Sequence, residues 1–310
     1  MNPTSLLSTT AAALTLFASA PALADAHVDA TADMTEQTAT LPAGPEGPAL
    51  WKVADEDTTI YLFGTVHLLP RDIEWYDAEI AEALTSSDTV VTELKMDPAS
   101  EAAMQQLAMQ QGMFTDGTTL RSLLDEEQTA AYEAALAGLG VPPAAFDAFE
   151  PWMAGLTLTM LPLMQQGYDM EAGVDKIILR NAGEKQADAL ETPEFQLGLF
   201  DGLPQDKQVA FLMEAVEDMP DTVNSLDAMV AEWVEGDADG LADIMNEGLD
   251  DPELAEALLY TRNANWADWI ATRLDTPGTV FIAVGAGHLA GERSVQDYLS
   301  QRSIETMRVQ

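Results

Sequence analysis

Two histidines occur in the same local setting near opposite ends of the chain. His67 and His288 each lie three residues after a glycine, Gly64 and Gly285, and each glycine ends an apolar run that is typical of a buried β-strand. The chain has one other histidine, His27, in a segment that we expect to be outside the fold. A lone histidine after a strand is more often structural, but the matched pair favours imidazole chemistry, either proton transfer or metal binding.

Two glutamates are predicted to lie at the ends of two further strands. Glu93 is near the end of a mainly apolar strand, and Glu191 ends a shorter one. Ligands of open α/β sheets bind at the carboxyl ends of the strands, so we expect both carboxylates to share a pocket with His67 and His288. Glu191 has a second interpretation, because a carboxylate at that position also supplies negative charge to a helix N-terminus.

The predicted pocket has the donor groups of a metal centre. Two imidazoles and one carboxylate form an open coordination shell for a catalytic divalent cation such as Mn, Co or Zn, with water in a remaining position. The predicted ligands are His67, Glu93 and His288. Nearby glycines let the backbone turn sharply and approach the site closely; they are Gly64, Gly285 and Gly287.

Arg262 is a candidate for orienting the substrate. It lies on a long predicted helix and is one of only 13 basic residues. A guanidinium can hold a substrate carboxylate or stabilise an oxyanion, and in so acidic a chain it can equally form salt bridges. Both roles stay open at this point. The sequence contains no nucleophile elbow, P-loop or HExxH helix, which removes the enzyme classes that those motifs define.

The composition is strongly acidic and limits the partners. With 13 Lys+Arg against 53 Asp+Glu, the formal net charge is −40. Nucleic acids and anionic membrane surfaces are therefore poor partners, because no basic surface is available to displace their counterions. The chain has no cysteine, so the fold is held without disulfides.

The N-terminal residues have the pattern of a secretory signal peptide. Residues 1–24 contain a short apolar stretch, then Pro21 and an Ala-Leu-Ala cleavage site, although the first residues lack Lys and Arg. We predict cleavage after Ala24, a periplasmic or secreted location, and no stable membrane anchor after cleavage. Residues 25–48 are predicted to be a flexible acidic lead-in, because they contain almost no large apolar residue.

Residues 49–310 are predicted to form a single mixed α/β domain. We expect a central mixed sheet flanked by helices, with a large, mostly helical insertion at 98–275 between the N-terminal and C-terminal strands. The expected strands are 49–53, 58–63, 88–94, 186–192, 278–285 and 304–309, and the nearly all-apolar strand 278–285 is expected at the sheet's centre. Other expectations are a helix at 73–84, a parallel pairing of 58–63 with 88–94, and a buried helix at 151–166 that Pro162 interrupts.

The many methionines are interpreted mainly as residues that fill gaps in the hydrophobic core. An adaptable peptide-binding surface and a copper site are the alternatives.

These residues as a set resemble the TraB/GumN family, which includes the Tiki proteases. The resemblance runs from about Trp51 to the C-terminus and is carried by Phe63–His67, Glu93, Gly173–Asp175, Leu190–Thr192, Gln196, Arg262–Asn263 and Val284–Gly291. The paired histidine motifs are also similar to those of the erythromycin-esterase and ChaN-like group. The resemblance implies a mixed α/β fold and, through the Tiki branch, a divalent-metal peptidase that uses the paired histidines and a glutamate. The membrane tether of that branch is not carried over, because no C-terminal transmembrane segment is visible.

Two hypotheses of function follow. The first is an exported hydrolase, a metallopeptidase in which metal-bound water attacks an amide and Arg262 or Glu191 orients a peptide or small-molecule substrate. In a metal-free version, His67 is the general base to water and His288 assists. The second is a non-catalytic periplasmic binding protein that sequesters a peptide or haem-like ligand in the same pocket. The sequence does not give the oligomeric state.

Overall fold

A six-stranded mixed sheet lies at the centre of the fold. The computed structural model describes residues 47–246 and 252–310. The strands in these residues are β1 (Leu50–Ala54), β2 (Thr58–Thr65), β3 (Leu69–Pro70), β4 (Thr89–Thr92), β5 (Tyr168–Asp169), β6 (Gln186–Ala189), β7 (Gly278–Gly285) and β8 (Met307–Arg308). The order in the large sheet is β6-β4-β7-β2-β1-β8, and β3 pairs with β5 separately. Neighbours from β6 to β2 are parallel, whereas β1 is antiparallel to β2 and β8. The predicted mixed α/β class is confirmed.

Helices pack around this sheet and dominate the segment between β4 and β7. They are α1 (Ala78–Ser86), α2 (Pro98–Gln111), α3 (Glu126–Gly138), α4 (Pro151–Gln165), α5 (Val174–Ala182), α6 (Pro193–Asp201), α7 (Gln205–Asp218), α8 (Thr222–Glu235), α9 (Ala238–Asn246), α10 (Pro252–Ala255), α11 (Thr261–Arg273) and α12 (Val295–Gln301). A π-helical turn, Glu256–Tyr260, joins α10 to α11, and a 3-10 turn, Ala286–Leu289, follows β7 directly.

Local capping fixes where several helices begin. The capping box of Asp125 and Gln128 starts α3. The expected start of α1 at residue 73 is wrong by five residues: Asp77 caps the helix by accepting from Ile80 N at 2.9 Å, and Trp75 packs in the core outside the helix. Pro162 lies inside α4, which continues to Gln165.

The central strand β7 aligns the two Gly-x-x-His segments. Its residues Val280 to Val284 are fully buried, which confirms the predicted central position. Parallel register with β2 pairs Thr65 with Gly285, so the two histidine segments leave the sheet side by side. β2 and β4 are parallel, but they do not pair with each other because β7 lies between them.

The first described residues lie beside the C-terminal residue at the β1 side of the sheet. Gly47 and Pro48, which the sequence placed in the lead-in, are buried, and Gln310 Nε2 donates to Pro48 O at 3.2 Å. The last strand comprises Met307 and Arg308 instead of 304–309, because only these two residues pair with β1 at the sheet edge. The predicted signal peptide and residues 25–46 lie outside the described residues. Within the described ranges, no helix is long and apolar enough to cross a membrane.

Candidate active site

The carboxyl ends of four adjacent strands form the candidate site. One predicted group follows each strand: Glu191 after β6, Glu93 after β4, His288 after β7 and His67 after β2. Since these strands are parallel neighbours, their ends lie at the same edge of the sheet. The structure therefore brings together the four side chains that the sequence placed at strand ends.

Gly285 marks the point where three of these groups meet. A β-carbon on Gly285 would lie 3.2 Å from Glu93 Oε1, 3.5 Å from His288 Cδ2 and 3.8 Å from His67 Nε2. His288 Cδ2 and His67 Nε2 both lie within 3.8 Å of this one point, so the two imidazole rings are close neighbours. The Gly285 N–H donates to Glu93 Oε1 at 2.7 Å, so a residue without a side chain lets the backbone contact the site directly.

The other two predicted glycines also allow close approach. A β-carbon on Gly64 would lie 3.0 Å from the Ala286 Cα, and one on Gly287 would overlap the Met245 side chain. Neither glycine has a positive φ. These two glycines therefore leave room for Ala286 and Met245, and they are not needed for an unusual backbone conformation.

His67 is held by Asp175, a residue from α5. Its Nδ1 lies 2.5 Å from Asp175 Oδ2, and Thr65 Oγ1 donates to Asp175 Oδ1 at 2.8 Å. Asp175 is buried in the first turn of α5, where the helix dipole stabilises negative charge. The other ring nitrogen, His67 Nε2, is buried and has no hydrogen-bond partner in the described residues. A carboxylate on Nδ1–H leaves a lone pair on Nε2 whenever the imidazole is neutral.

The electrostatic surroundings of His67 favour its protonated form. Burial lowers the pKa of the imidazole, but the charge and hydrogen bond of Asp175, with the charge of Glu93, more than offset burial and raise the pKa of His67 above its usual value. An imidazolium formed by proton uptake at Nε2 would thus be stabilised where it forms.

His288 has a different environment and is held neutral. Its Nδ1 lies 2.6 Å from Asn263 Oδ1, and the Asn263 amide nitrogen donates to Arg293 O at 2.9 Å. Nδ1 is therefore the donor, and Nε2 accepts from Arg262 Nη1 at 3.1 Å. Burial, the Arg262 charge and His67 together hold the pKa of His288 well below its usual value.

Arg262 contacts Glu93, Glu191 and His288, and it is only 1% exposed. All five of its N–H donors have acceptors: Glu191 Oε1 and Oε2 at 2.8 and 2.9 Å, Glu93 Oε2 at 2.6 Å, Leu258 O at 2.9 Å and His288 Nε2 at 3.1 Å. The predicted salt-bridge role is therefore present. No donor is left for a substrate carboxylate in this arrangement, since each one holds a neighbouring group of the protein.

Glu191 is likewise committed to its neighbours. Besides Arg262, it accepts from Gln196 Nε2 at 2.8 Å and from Trp266 Nε1 at 2.9 Å. Gln196 Nε2 also donates to Glu93 Oε2 at 3.0 Å, so one amide links the two glutamates. Glu191 therefore belongs to the network that holds Glu93, and Thr192, not Glu191, caps α6.

Two of the three predicted metal ligands contact Arg262 in this arrangement. The Nε2 lone pair of His288 faces Arg262, and Glu93 Oε2 is bound to the same guanidinium. A guanidinium at hydrogen-bond distance repels a divalent cation. No group of three or more His, Cys, Asp or Glu side chains is placed to hold a metal in the described parts of the chain. His67 Nε2 alone has both a free lone pair and the carboxylate support that metal-binding imidazoles usually have.

A pocket of about 40 Å³ lies beside these groups. His67, Glu93 and Asp175 contribute to its polar part, and its apolar lining comes from Leu94, Met96, Met104 and Met170. A water molecule needs about 10–15 Å³, so water has room next to His67. Met104 is buried in the core, as are Met153 and Met160, which supports the core interpretation of those methionines.

Sequence reasoning alone assigned no role to Asp175, Asn263 or Gln196, although all three fell inside the family resemblance. Each is at most 3% exposed, and each holds a predicted site residue. A signal for Asp175 is present in α5: it is a charged residue beside Val174 on the face that also carries Ile178, and all three are buried. A charge on a buried helix face requires a partner.

The fold and the site define an α/β protein with paired strand-end histidines. A family model described as the TraB/PrgY/gumN family matches residues 49–308. Because this match covers most of the chain, the chain belongs to the TraB/PrgY/gumN family, and the resemblance is confirmed. Neither the curated proteins nor the solved structures give a significant match.

Proposed function

We propose that the chain is a hydrolase that cleaves an amide bond, with a peptide as the substrate and His67 as the general base. The observation that carries this proposal is the buried, unpartnered Nε2 of His67 opposite an Nδ1 that is fixed by Asp175. This is the geometry of an imidazole prepared to take a proton from water. The pocket beside it has room for that water.

The reaction needs only a few groups of this chain. Neutral His67 removes a proton from water through Nε2 as the oxygen attacks the amide carbon, and Asp175 with Glu93 stabilises the imidazolium. The imidazolium then donates the proton to the leaving amine as the C–N bond breaks. His288 stays neutral and holds Arg262, which in turn fixes Glu93. His288 and Arg262 are therefore positioning residues.

Apolar and flexible side chains beside the base favour a peptide substrate. Met96, Met104 and Met170 line the same pocket as His67. Methionine adapts to different apolar side chains because it is unbranched and has three rotatable bonds. A small-molecule amide or ester is the alternative substrate that the same base would serve.

A divalent metal, Mn, Co or Zn, is a separate proposal. The free and carboxylate-supported His67 Nε2 favours it, whereas the use of His288 as a ligand requires Arg262 to release that imidazole. Elemental analysis of the purified chain tests it. Stoichiometric metal that is lost in both His67→Ala and His288→Ala supports the predicted ligand set, and metal retained in both variants refutes it.

Export to the periplasm also stays a prediction, because the signal peptide lies outside the described residues. N-terminal sequencing of protein recovered from the periplasmic and cytosolic fractions of a Gram-negative host tests it. A mature N-terminus at Asp25 in the periplasmic fraction is expected.

Incubation with a peptide library, read by mass spectrometry, tests the hydrolase. The wild-type chain is expected to cleave library members, and His67→Ala is expected to lose at least about 100-fold in rate, the usual contribution of a general base. His27→Ala is the matched control and should keep full activity. Unchanged cleavage in His67→Ala refutes the proposal. An intact library with tight binding of peptide or haem would instead indicate the sequestering protein.

A further inference from the structure

Lys95 forms no hydrogen bond or ion pair in the described residues, although its charge acts on Asp97, two residues further along the chain. The 13 basic residues all lie in the part that the structure describes. All but Lys52 and Lys95 donate a hydrogen bond or form an ion pair there. Lys95 is exposed, although the chain contains 53 acidic residues with which it could pair.

Lys95 also lies at the candidate site. It follows Glu93 by two residues and lines the same pocket as His67. The other charged side chains that line this pocket form ion pairs. Glu93 pairs with Arg262, and Asp175 pairs with His67. Lys176 pairs with Glu101 at 3.8 Å and with Glu171 at 2.5 Å. Lys95 has no such close partner within the described residues, so it can attract an anionic group of a ligand.

The pocket lined by Lys95 and His67 also has an apolar part. Leu94 and Met96 flank the lysine in sequence, and Met104 and Met170 line the pocket with them. A ligand that reaches from the lysine to the histidine must therefore present an anionic group and an apolar side chain to the same pocket. The carboxyl-terminal residue of a peptide has both when that residue is apolar.

We infer that the pocket receives the carboxyl-terminal end of a peptide, with the terminal carboxylate at Lys95 and an apolar last side chain among the methionines. This rests on the proposed hydrolase function and adds its substrate class. The amide bond offered to His67 is then close to the C-terminus. Water supplies the hydroxyl to the new carboxylate, and the leaving amine takes the proton from His67, so a terminal residue or short fragment is released.

Two N-acetylated peptides of the same sequence, both ending in Leu, provide the test. One has a free carboxylate and the other a carboxamide, and kcat/KM is measured for both with the wild-type chain, Lys95→Gln and Lys52→Gln. The wild-type chain should prefer the free acid. Lys95→Gln should lower kcat/KM for the free acid by about fivefold, the upper value for an exposed ion pair, and leave the amide unchanged. Lys52→Gln should change neither, since Lys52 lies on β1 and lines none of the pockets at the site.

Calorimetric binding of the same peptides separates the two proposals. If neither peptide is cleaved but the free acid binds better, and that preference is lost in Lys95→Gln, the inference holds while the hydrolase proposal fails. If both peptides are cleaved or bound equally well, or if Lys95→Gln keeps the wild-type preference, the inference is overturned.

Discussion

At the scale of single residues, the site depends most on Arg262. Its guanidinium is buried between Glu93 and Glu191, so removal of the cation leaves two buried carboxylates without their partner. Arg262→Met is expected to lower the free energy of unfolding by about 3–5 kcal/mol, the usual cost of breaking a buried ion pair. Chemical denaturation followed by circular dichroism measures this loss.

Arg71→Met is the matched control for that change. The Arg71 side chain is 71% exposed and pairs with Asp169 near the surface, so its loss should cost less than about 1 kcal/mol. Equal losses in the two variants would show that the Arg262 network does not hold the site together.

The two histidines are expected to affect stability in opposite directions as the pH falls. The lowered pKa of His288 means that the unfolded chain binds a proton below pH ~6.5 while the folded chain does not, so stability falls on acidification by up to about 1.4 kcal/mol per pH unit. The raised pKa of His67 contributes stability that is present below pH ~6.5 and is lost as the pH rises through the folded value.

Unfolding free energies at pH 7.5 and 5.5 test this pair. His288→Gln should lose less stability than the wild-type chain on acidification, and His67→Gln should lose more, while the surface carboxylates contribute equally to all three. Identical losses in all three proteins would contradict the assigned environments.

At the scale of elements, the contact between α5 and the segment after β2 positions the base. Val174 N donates to Val66 O at 2.9 Å, and Gly173 packs against the His67 carbonyl so closely that a β-carbon would overlap it. Gly173→Ala is expected to push α5 away, to weaken the contact of His67 with Asp175, and to lower kcat by at least about tenfold, because small misplacements at an active site are costly. Peptide turnover and the melting temperature are the measurements.

Gly198→Ala provides the control within a helix. Gly198 lies in α6, and a β-carbon there would meet nothing within 4 Å. Alanine should stabilise the chain by about 0.5–1 kcal/mol and leave turnover unchanged. Full activity in Gly173→Ala would show that the close approach of α5 is not required.

The strands were more predictable than the contacts between elements. Apolar runs ending at Gly64 and Gly285 identified β2 and β7 and placed both histidines at strand ends. The insertion of β7 between β2 and β4 could not be read from the sequence, because strand order depends on the packing of distant segments. For the same reason the partner of His67 was missed: Asp175 lies 108 residues further along the chain.

At the scale of the whole molecule, acidity is the dominant property. A net charge of −40 destabilises the folded state, because like charges repel one another and unfolding increases the distances between them. Raising NaCl from 10 mM to 150 mM shortens the Debye length from about 30 Å to about 8 Å, so the melting temperature should rise. Thermal unfolding at several salt concentrations measures this, and a fall in melting temperature would contradict it.

The pairing of charges within this acidic molecule bears on the predicted metal site, which stays a prediction. Two histidines and a glutamate were predicted as ligands, and a buried arginine from a distant helix binds two of them, Glu93 and His288. Composition shows that cations are scarce, yet only the fold shows which carboxylates they neutralise. The sequence therefore predicted residues that the fold brings together, and their roles stay predictions.

The pH dependence of kcat/KM in wild type and Asp175→Asn tests most directly the claim that His67, fixed by Asp175, is the base. Asp175 raises the pKa of His67, so the acidic limb of the profile should move to lower pH in the variant. The rate should fall by about 10²–10⁴-fold, because Asn no longer stabilises the imidazolium or fixes the tautomer. An unshifted profile with wild-type kcat in a folded Asp175→Asn chain would contradict the account.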